Sequence, residues 1–286
     1  MTLSSRWARA ALVWAPPLLF VLAFLVYPYL KVFEFSLYRV EDFEFIHEAS
    51  LDNFRRALTG ELYQRVLYVS ARVGLIVTLC TLPLAYLLAY YASFVMRRWQ
   101  HLLYFLVVTP LWTSFLLRAY VWKLILGRTG LINNALTLTG LVDEPLSFLI
   151  YNQFSVCVTL IYILLPFAFL PIYTALERID PAYLEASSDL GAAPWRTLLR
   201  VILPLSLPGV ITGGIFVFCL SFGDFVAPTL LGGPGGLMVS NVIISQFGGA
   251  YDWPFGSALA VLVLAAVFLV IGLGTLAERR SAGAIA

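Results

Sequence analysis

The chain has 286 residues, 61% of them hydrophobic and only 12% charged, with a formal net charge of +2 and a mean hydropathy of +0.89. That balance excludes a soluble globular domain, in which about a quarter of residues carry charge. The protein belongs in a lipid bilayer, and no nucleic-acid partner is expected.

A helix rises about 1.5 Å per residue, so roughly 20 apolar residues cross the hydrocarbon core. Six runs meet that length, at residues 10–30, 66–94, 102–126, 148–173, 205–231 and 255–277. They are apolar all round, whereas barrel strands are short and alternate, so the spans are helices. The expected fold class is an all-α integral membrane protein, a single domain over residues 1–286.

Arg6 and Arg9 precede the first run in the manner of a secretory signal, but the run is too long and no small-residue cleavage site ends it. Pro16 and Pro17 fall in its first turn, where missing N–H groups cost little, and Tyr27, Pro28 and Tyr29 mark the far interface. We read it as an uncleaved first helix. The following loop carries Lys31, Arg39, Arg55, Arg56 and Arg65, with seven acids from Glu34 to Glu61. Arg72, near the outer end of the second span, snorkels to the interface.

Arg6, Arg9, Arg97, Arg98, Arg178, Arg196, Arg200, Arg279 and Arg280 fall on one side of a six-span arrangement, the side the positive-inside rule makes cytoplasmic. The opposite side carries as many, with Arg118, Lys123 and Arg128 near it, so this rule alone does not fix the orientation.

Between the fourth and fifth runs lies a polar stretch, Glu185-Ala186-Ser187-Ser188-Asp189-Leu190-Gly191, followed by Val201-Ile202-Leu203-Pro204. Asp180 caps a helix opened by Pro181, and Gly191 supplies a left-handed stop. Pro194 then opens a second short helix, Trp195 to Arg200, and Pro204 and Pro208 lead into the fifth span.

This stretch resembles the EAA loop of the membrane-spanning subunits of ABC importers: Glu-Ala-Ala, three residues, Gly, nine residues, an aliphatic residue, any residue, Leu-Pro. Glu185, Ala186, Gly191, Leu203 and Pro204 match in register, while Ser187 replaces the second Ala and Val201 the usual Ile. The resemblance implies a type I (MetI-like) importer permease whose EAA helix sits in a groove of an ATPase subunit on the cytoplasmic side. Glu185 supplies the polar contact there, Ala186 and Ser187 the close approach, and Gly191 the turn. A narrower resemblance runs through residues 110–120, 222–234 and 252–258, which look like the first permease of spermidine/putrescine-type importers. It implies a bacterial inner membrane protein with both termini cytoplasmic, paired with a second, similar permease as a heterodimer. Two ATPase subunits and a periplasmic or extracellular substrate-binding protein complete the assembly. The cargo expected from the resemblance is a polyamine or a related amine or amino-acid derivative.

Charges inside the membrane mark a candidate substrate path, since each costs about 2.5–3.5 kcal/mol at a helix centre on insertion scales unless it faces protein or water. Asp224 lies in the fifth run beside Phe222, Gly223, Phe225 and Pro228, where Gly and Pro permit a break. Two readings stand: its carboxylate meets a cationic solute, with Trp112, Tyr120, Phe222, Phe225 and Trp253 as aromatic company, or it pairs with Arg118 or another basic group to hold helices together. An unpaired Arg118 repels a polyamine, so it is structural or points to an anionic or zwitterionic solute. Gly232-Gly233-Pro234-Gly235-Gly236 forms an outer loop, and Ser240 to Phe247 with Gly248-Gly249 returns partly toward the pore. Tyr251, Trp253 and the loop glycines suit an external gate or a surface touched by a binding protein, and an aromatic interface belt explains Tyr251 and Trp253 equally well, the belt being favoured for Trp253.

No catalytic or metal-binding constellation emerges. Cys80, Cys157 and Cys219 lie within the spans with no ligand-like spacing, and His47 and His101 are far apart. Lys31 and Lys123, the two lysines, are followed by Val32 and Leu124, so no phosphate-cradling Gly-Lys-Ser/Thr loop is present. No cofactor is expected on this chain; ATP and Mg belong to the partner ATPase. An ion-coupled secondary transporter is the alternative, but no internal repeat is visible. A membrane-embedded enzyme would need a reactive pair that the spans lack.

Overall fold

The computed structural model describes residues 3–41 and 44–285; Met1, Thr2, Asp42, Phe43 and Ala286 lie outside the described residues. The same holds for the side chains of Arg6, Arg9, Arg97 and Arg280 from the charge count.

Helix α1 (Leu3–Val21) continues through a π turn (Leu22–Val26) into α2 (Tyr27–Ser36), and because it starts at Leu3, Pro16 and Pro17 lie in its interior and not in its first turn. An antiparallel pair, β1 (Arg39–Glu41) and β2 (Glu44–Ile46), and α3 (Asp52–Thr59) follow. Next come α4 (Glu61–Tyr90) with a π turn at Tyr91–Val95, α5 (Gln100–Val108), α6 (Phe115–Leu126) and α7 (Leu131–Leu138). The remainder is α8 (Gln153–Glu177), α9 (Pro181–Asp189), α10 (Pro194–Thr197), α11 (Leu203–Phe222), α12 (Val239–Gly248) and α13 (Trp253–Ile285). The stretch expected to return toward the pore is thus helix α12. Among the described residues five helices are long and apolar enough to cross a membrane, at Leu12–Ser36, Glu61–Val95, Gln153–Glu177, Pro194–Phe222 and Trp253–Arg279, and a bent pair makes up to six.

The run at residues 102–126 is not one straight span. Gln100–Trp112 and Phe115–Leu138 meet at a 99° bend. Pro110 tightens the end of the first half into a 3₁₀ turn, and Thr113 and Ser114 are non-helical (ψ 151° and 133°) before α6 begins. The run at 205–231 also divides: α11 ends at Phe222, and a π turn at Pro228–Gly232 follows the break. At its other end, the short helix opened by Pro194 does not stop at Arg200 but continues through a π turn (Leu198–Ile202) into α11. Proline lacks an N–H and its ring crowds the carbonyl four residues back. In two places, Leu22–Val26 before Pro28 and Leu198–Ile202 before Pro204, a π turn ends two residues ahead of the proline and absorbs that conflict without breaking the helix.

The described chain packs as two compact units, residues up to Gln64 with Val242–Leu264, and Arg65–Asn241 with the residues from Ala265 on. The smaller is built on buried Ala57, Phe255 and Leu259. There Arg56 pairs with Asp252 at 2.7 Å and lies over the Phe255 ring at 4.1 Å. The larger is organised by α8 against α11. A Cβ on Gly209 would stand 2.5 Å from the Pro171 carbonyl and 2.6 Å from the Ala175 Cβ, so only glycine fits that crossing. Gly213 lies one turn on against Ala168, giving the small-residue spacing that lets membrane helices approach closely.

Candidate functional site

Two places in the larger unit bring functional side chains together. The first is the segment around α9. Asp180 accepts a hydrogen bond from the Ala182 N–H at 2.9 Å, and Pro181 occupies the first helical position. At the other end Gly191 has φ +72°. Its N–H donates to the Ser188 carbonyl at 2.8 Å and the Ala192 N–H to the Ser187 carbonyl at 3.1 Å, the paired bonds of a Schellman stop. Both ends are therefore set by local chemistry.

Within that helix Glu185 and Ala186 are exposed and Ser187 is buried. The Ser187 hydroxyl shares a 2.8 Å hydrogen bond with that of Thr197 in α10. The serine that departs from the Glu-Ala-Ala pattern thus ties α9 to the helix leading into the membrane, a role that small size alone does not predict. Leu203 and Pro204 are half-buried in the rod that follows, next to fully buried Ile202. Around α9, Tyr183, Leu190, Trp195 and Leu199 are all more than half exposed, Leu190 at 87%.

The second place is a cleft of about 460 Å³ lined by Leu111, Thr113, Phe115, Arg118, Asp224 and Phe225 among others. Both helix breaks, the one at Thr113–Ser114 and the one after Phe222, open onto it. Irregular backbone at membrane depth needs such a setting, because its free polar groups must find partners in protein or in a water-filled cavity. Here the Ser240 hydroxyl donates to the Gly223 carbonyl at 2.9 Å, and the Asn241 amide to the Phe225 carbonyl at 3.1 Å. Asp224, 8% exposed, accepts from the Ala227 N–H at 2.9 Å, so its carboxylate caps the helical turn beyond the break.

Arg118 is 9% exposed. Its Nη1 donates to the Ile163 carbonyl at 3.3 Å, and its Nε is buried with no hydrogen-bond partner. No ion pair joins Arg118 to Asp224 among the described residues, although the two share the cleft. The helix-pairing reading of Asp224 is not realised in this conformation.

The other residues expected along the path lie elsewhere. Trp112 is 75% exposed, against Phe105, and Tyr120 is 49% exposed beside Lys123. Phe222 is buried and stacked on Phe218. Trp253 belongs to the smaller unit, where it meets Phe45 and Phe247. Sequence reasoning missed Thr113 and Thr197. The first carries a signal, since a Thr-Ser pair three residues after Pro110 weakens helix continuity, whereas nothing local marks Thr197 as the partner of Ser187.

Comparison with known proteins adds to this geometry. The family described as "Binding-protein-dependent transport system inner membrane component" matches residues 81–282. The chain is similar to the spermidine/putrescine transport system permease protein PotB of Escherichia coli strain K12, at 36% identity over 259 residues, covering 90% of this chain and 92% of that protein. The PotB protein of Haemophilus influenzae is 38% identical over 235 residues, covering 81% and 82%. The crystal structure of a bacterial ABC transporter involved in the import of the acidic polysaccharide alginate shares the fold, with a TM-score of 0.80 at 19% identity, covering 97% of this chain and 98% of that one.

Proposed function

The chain belongs to the family of binding-protein-dependent transport system inner membrane components and is a permease subunit of an ATP-driven importer; from that premise we propose that it forms half of the translocation path for a small amine. The cargo is a polyamine, the class printed in the names of the relatives, or a related amine or amino-acid derivative. The other half of the path is a second, homologous permease, so that the membrane core is a heterodimer. A soluble binding protein delivers cargo on the outer side. Two ATPase subunits bind ATP and Mg on the cytoplasmic side, where α9 and both termini lie. The chain itself carries out no chemistry.

The observation that carries the reading is the capped, exposed α9 helix hydrogen-bonded to the rod that ends at the cleft. Glu185 and Ala186 face outward for an ATPase groove, with Gly191 setting the turn. Leu203 and Pro204 lie in the rod itself. When the ATPases close, α9 shifts, Ser187 draws Thr197 with it, and the rod moves the wall of the cleft that holds Asp224 and Phe225. Alternating access follows from that displacement. An ion-coupled transporter leaves the exposed α9 helix without a role, and nothing in the family match supports it.

Affinity purification of the tagged chain from its native membrane tests the reading. Recovery of an ATPase and a second permease, both lost on replacing Glu185 and Gly191, is the expected result. Recovery of the chain alone, still active in solute uptake, would overturn it.

A further inference from the structure

The shared cleft holds two buried, oppositely charged side chains that do not neutralise each other. Their remaining hydrogen-bonding capacity differs. Arg118 spends one Nη1 N–H on the Ile163 carbonyl, and its Nε is buried without a partner; a guanidinium has five N–H donors and no acceptor, so the remaining Nη N–H groups are the donors left for the cleft. It is also the fourth residue of α6, a 12-residue helix whose N-cap Ser114 makes no side-chain hydrogen bond. The free amides of the first turn and the positive end of the helix dipole therefore reinforce the arginine rather than oppose it. This half of the cleft is built for an anion. Asp224 accepts from the Ala227 N–H at 2.9 Å and faces the Phe225 and Val226 N–H groups of the same turn, and with about four acceptor sites on a carboxylate it keeps one side for an ammonium group.

We propose that the cleft receives a solute bearing both charges, its anionic group (a carboxylate or phosphonate) on Arg118 and the α6 N-terminus and its ammonium on Asp224. The inference rests on the reading of the chain as an importer permease for small amines and narrows it: a zwitterionic amine fits both halves, whereas a polyamine brings a second positive charge against Arg118. Shape agrees with charge. Apart from Thr113 and the backbone at Gly223 the rest of the lining is apolar, with Leu111, Phe115, Leu164 and Phe225 suited to a short methylene spacer between the two charged ends.

The test compares 4-aminobutyrate with putrescine, which replaces the carboxylate by a second amine on a chain of similar length, and with butyrate, which lacks the amine. The purified importer in nanodiscs, without its binding protein, is titrated with each and thermal unfolding is followed, so that the binding protein does not filter the result. Expected is stabilisation by 4-aminobutyrate at concentrations at least tenfold lower than by either competitor, lost in Arg118→Gln and partly kept in Arg118→Lys. Membrane levels of each variant, by immunoblot, separate lost binding from lost folding. Stabilisation by putrescine that Arg118→Gln leaves unchanged would overturn the proposal while leaving the amine reading intact, and would mean that a carboxylate of the second permease neutralises Arg118. If neither amine binds, and vesicles containing the whole importer with its binding protein take up neither, the amine reading fails and this proposal falls with it.

Discussion

Replacing Ser187 by Ala removes one half of a 2.8 Å hydroxyl pair without adding bulk, and it restores the residue that the EAA pattern carries at that position. A neutral intramolecular hydrogen bond contributes about 0.5–1.5 kcal/mol net. Thr197 is only half-buried, so water reaches its freed hydroxyl and the full penalty for an unsatisfied buried group does not apply. A loss of about 1 kcal/mol is expected, equivalent to about a fivefold change in an equilibrium. The change should fall on the linkage between α9 and the rod rather than on ATP hydrolysis. In proteoliposomes containing the whole importer, solute moved per ATP hydrolysed should fall about fivefold in Ser187→Ala and at least as much in Thr197→Val, which leaves the buried Ser187 hydroxyl without that partner, with ATPase rate little altered. Because both variants break the same bond, the double variant should be no worse than either single one. Additive losses in the double variant, or an unchanged transport ratio in both singles, would refute the idea that this bond links the two helices.

Three further outcomes follow from the packing. Gly209→Val places a side chain against the Pro171 carbonyl and the Ala175 Cβ and should destabilise the α8–α11 crossing by about 1–3 kcal/mol, seen as a lower thermal unfolding midpoint in detergent. Gly191→Ala forces a left-handed conformation on an L-residue at about 1–2 kcal/mol in open space, so it should weaken ATPase co-purification while the membrane level of the chain stays constant. Arg56→Gln removes the pair with Asp252 and the stacking on Phe255. At a half-exposed site this costs about 0.5–1 kcal/mol, and proteolysis of the smaller unit should become correspondingly faster.

Much of this architecture was legible because bilayers demand long apolar runs, and the runs are visible residue by residue. The ends of α9 were legible for a different reason: Asp180, Pro181 and Gly191 act locally, through a side-chain cap, a fixed φ and a positive φ, and need no distant partner. The bend after Trp112 was hidden from hydropathy because the window around it stays apolar on average, with Thr113 and Ser114 the only polar residues between Leu111 and Leu117, while the backbone at those two residues turns. The end of α11 was hidden in the same way, since apolar residues continue past Asp224 into the next turn. Convergence of the two breaks on one cleft joins residues about a hundred positions apart, and no periodicity within a run encodes it. Arg118 and Asp224 drew attention as charges in apolar runs. That they would share a cleft without touching was left open by the sequence.

The helix from Pro194 to Phe222 runs 29 residues without a break, about 43 Å at 1.5 Å per residue, because the π turn ahead of Pro204 keeps it whole. It therefore works as a lever with one arm at the Ser187–Thr197 bond and the other at the wall of the cleft. For a bar of that length a tilt of about 5° carries the far end about 4 Å, enough to widen or close a passage for a chain of methylenes. A full break at Pro204 would leave two short bars joined by a loose joint, and the same push would be lost in the joint.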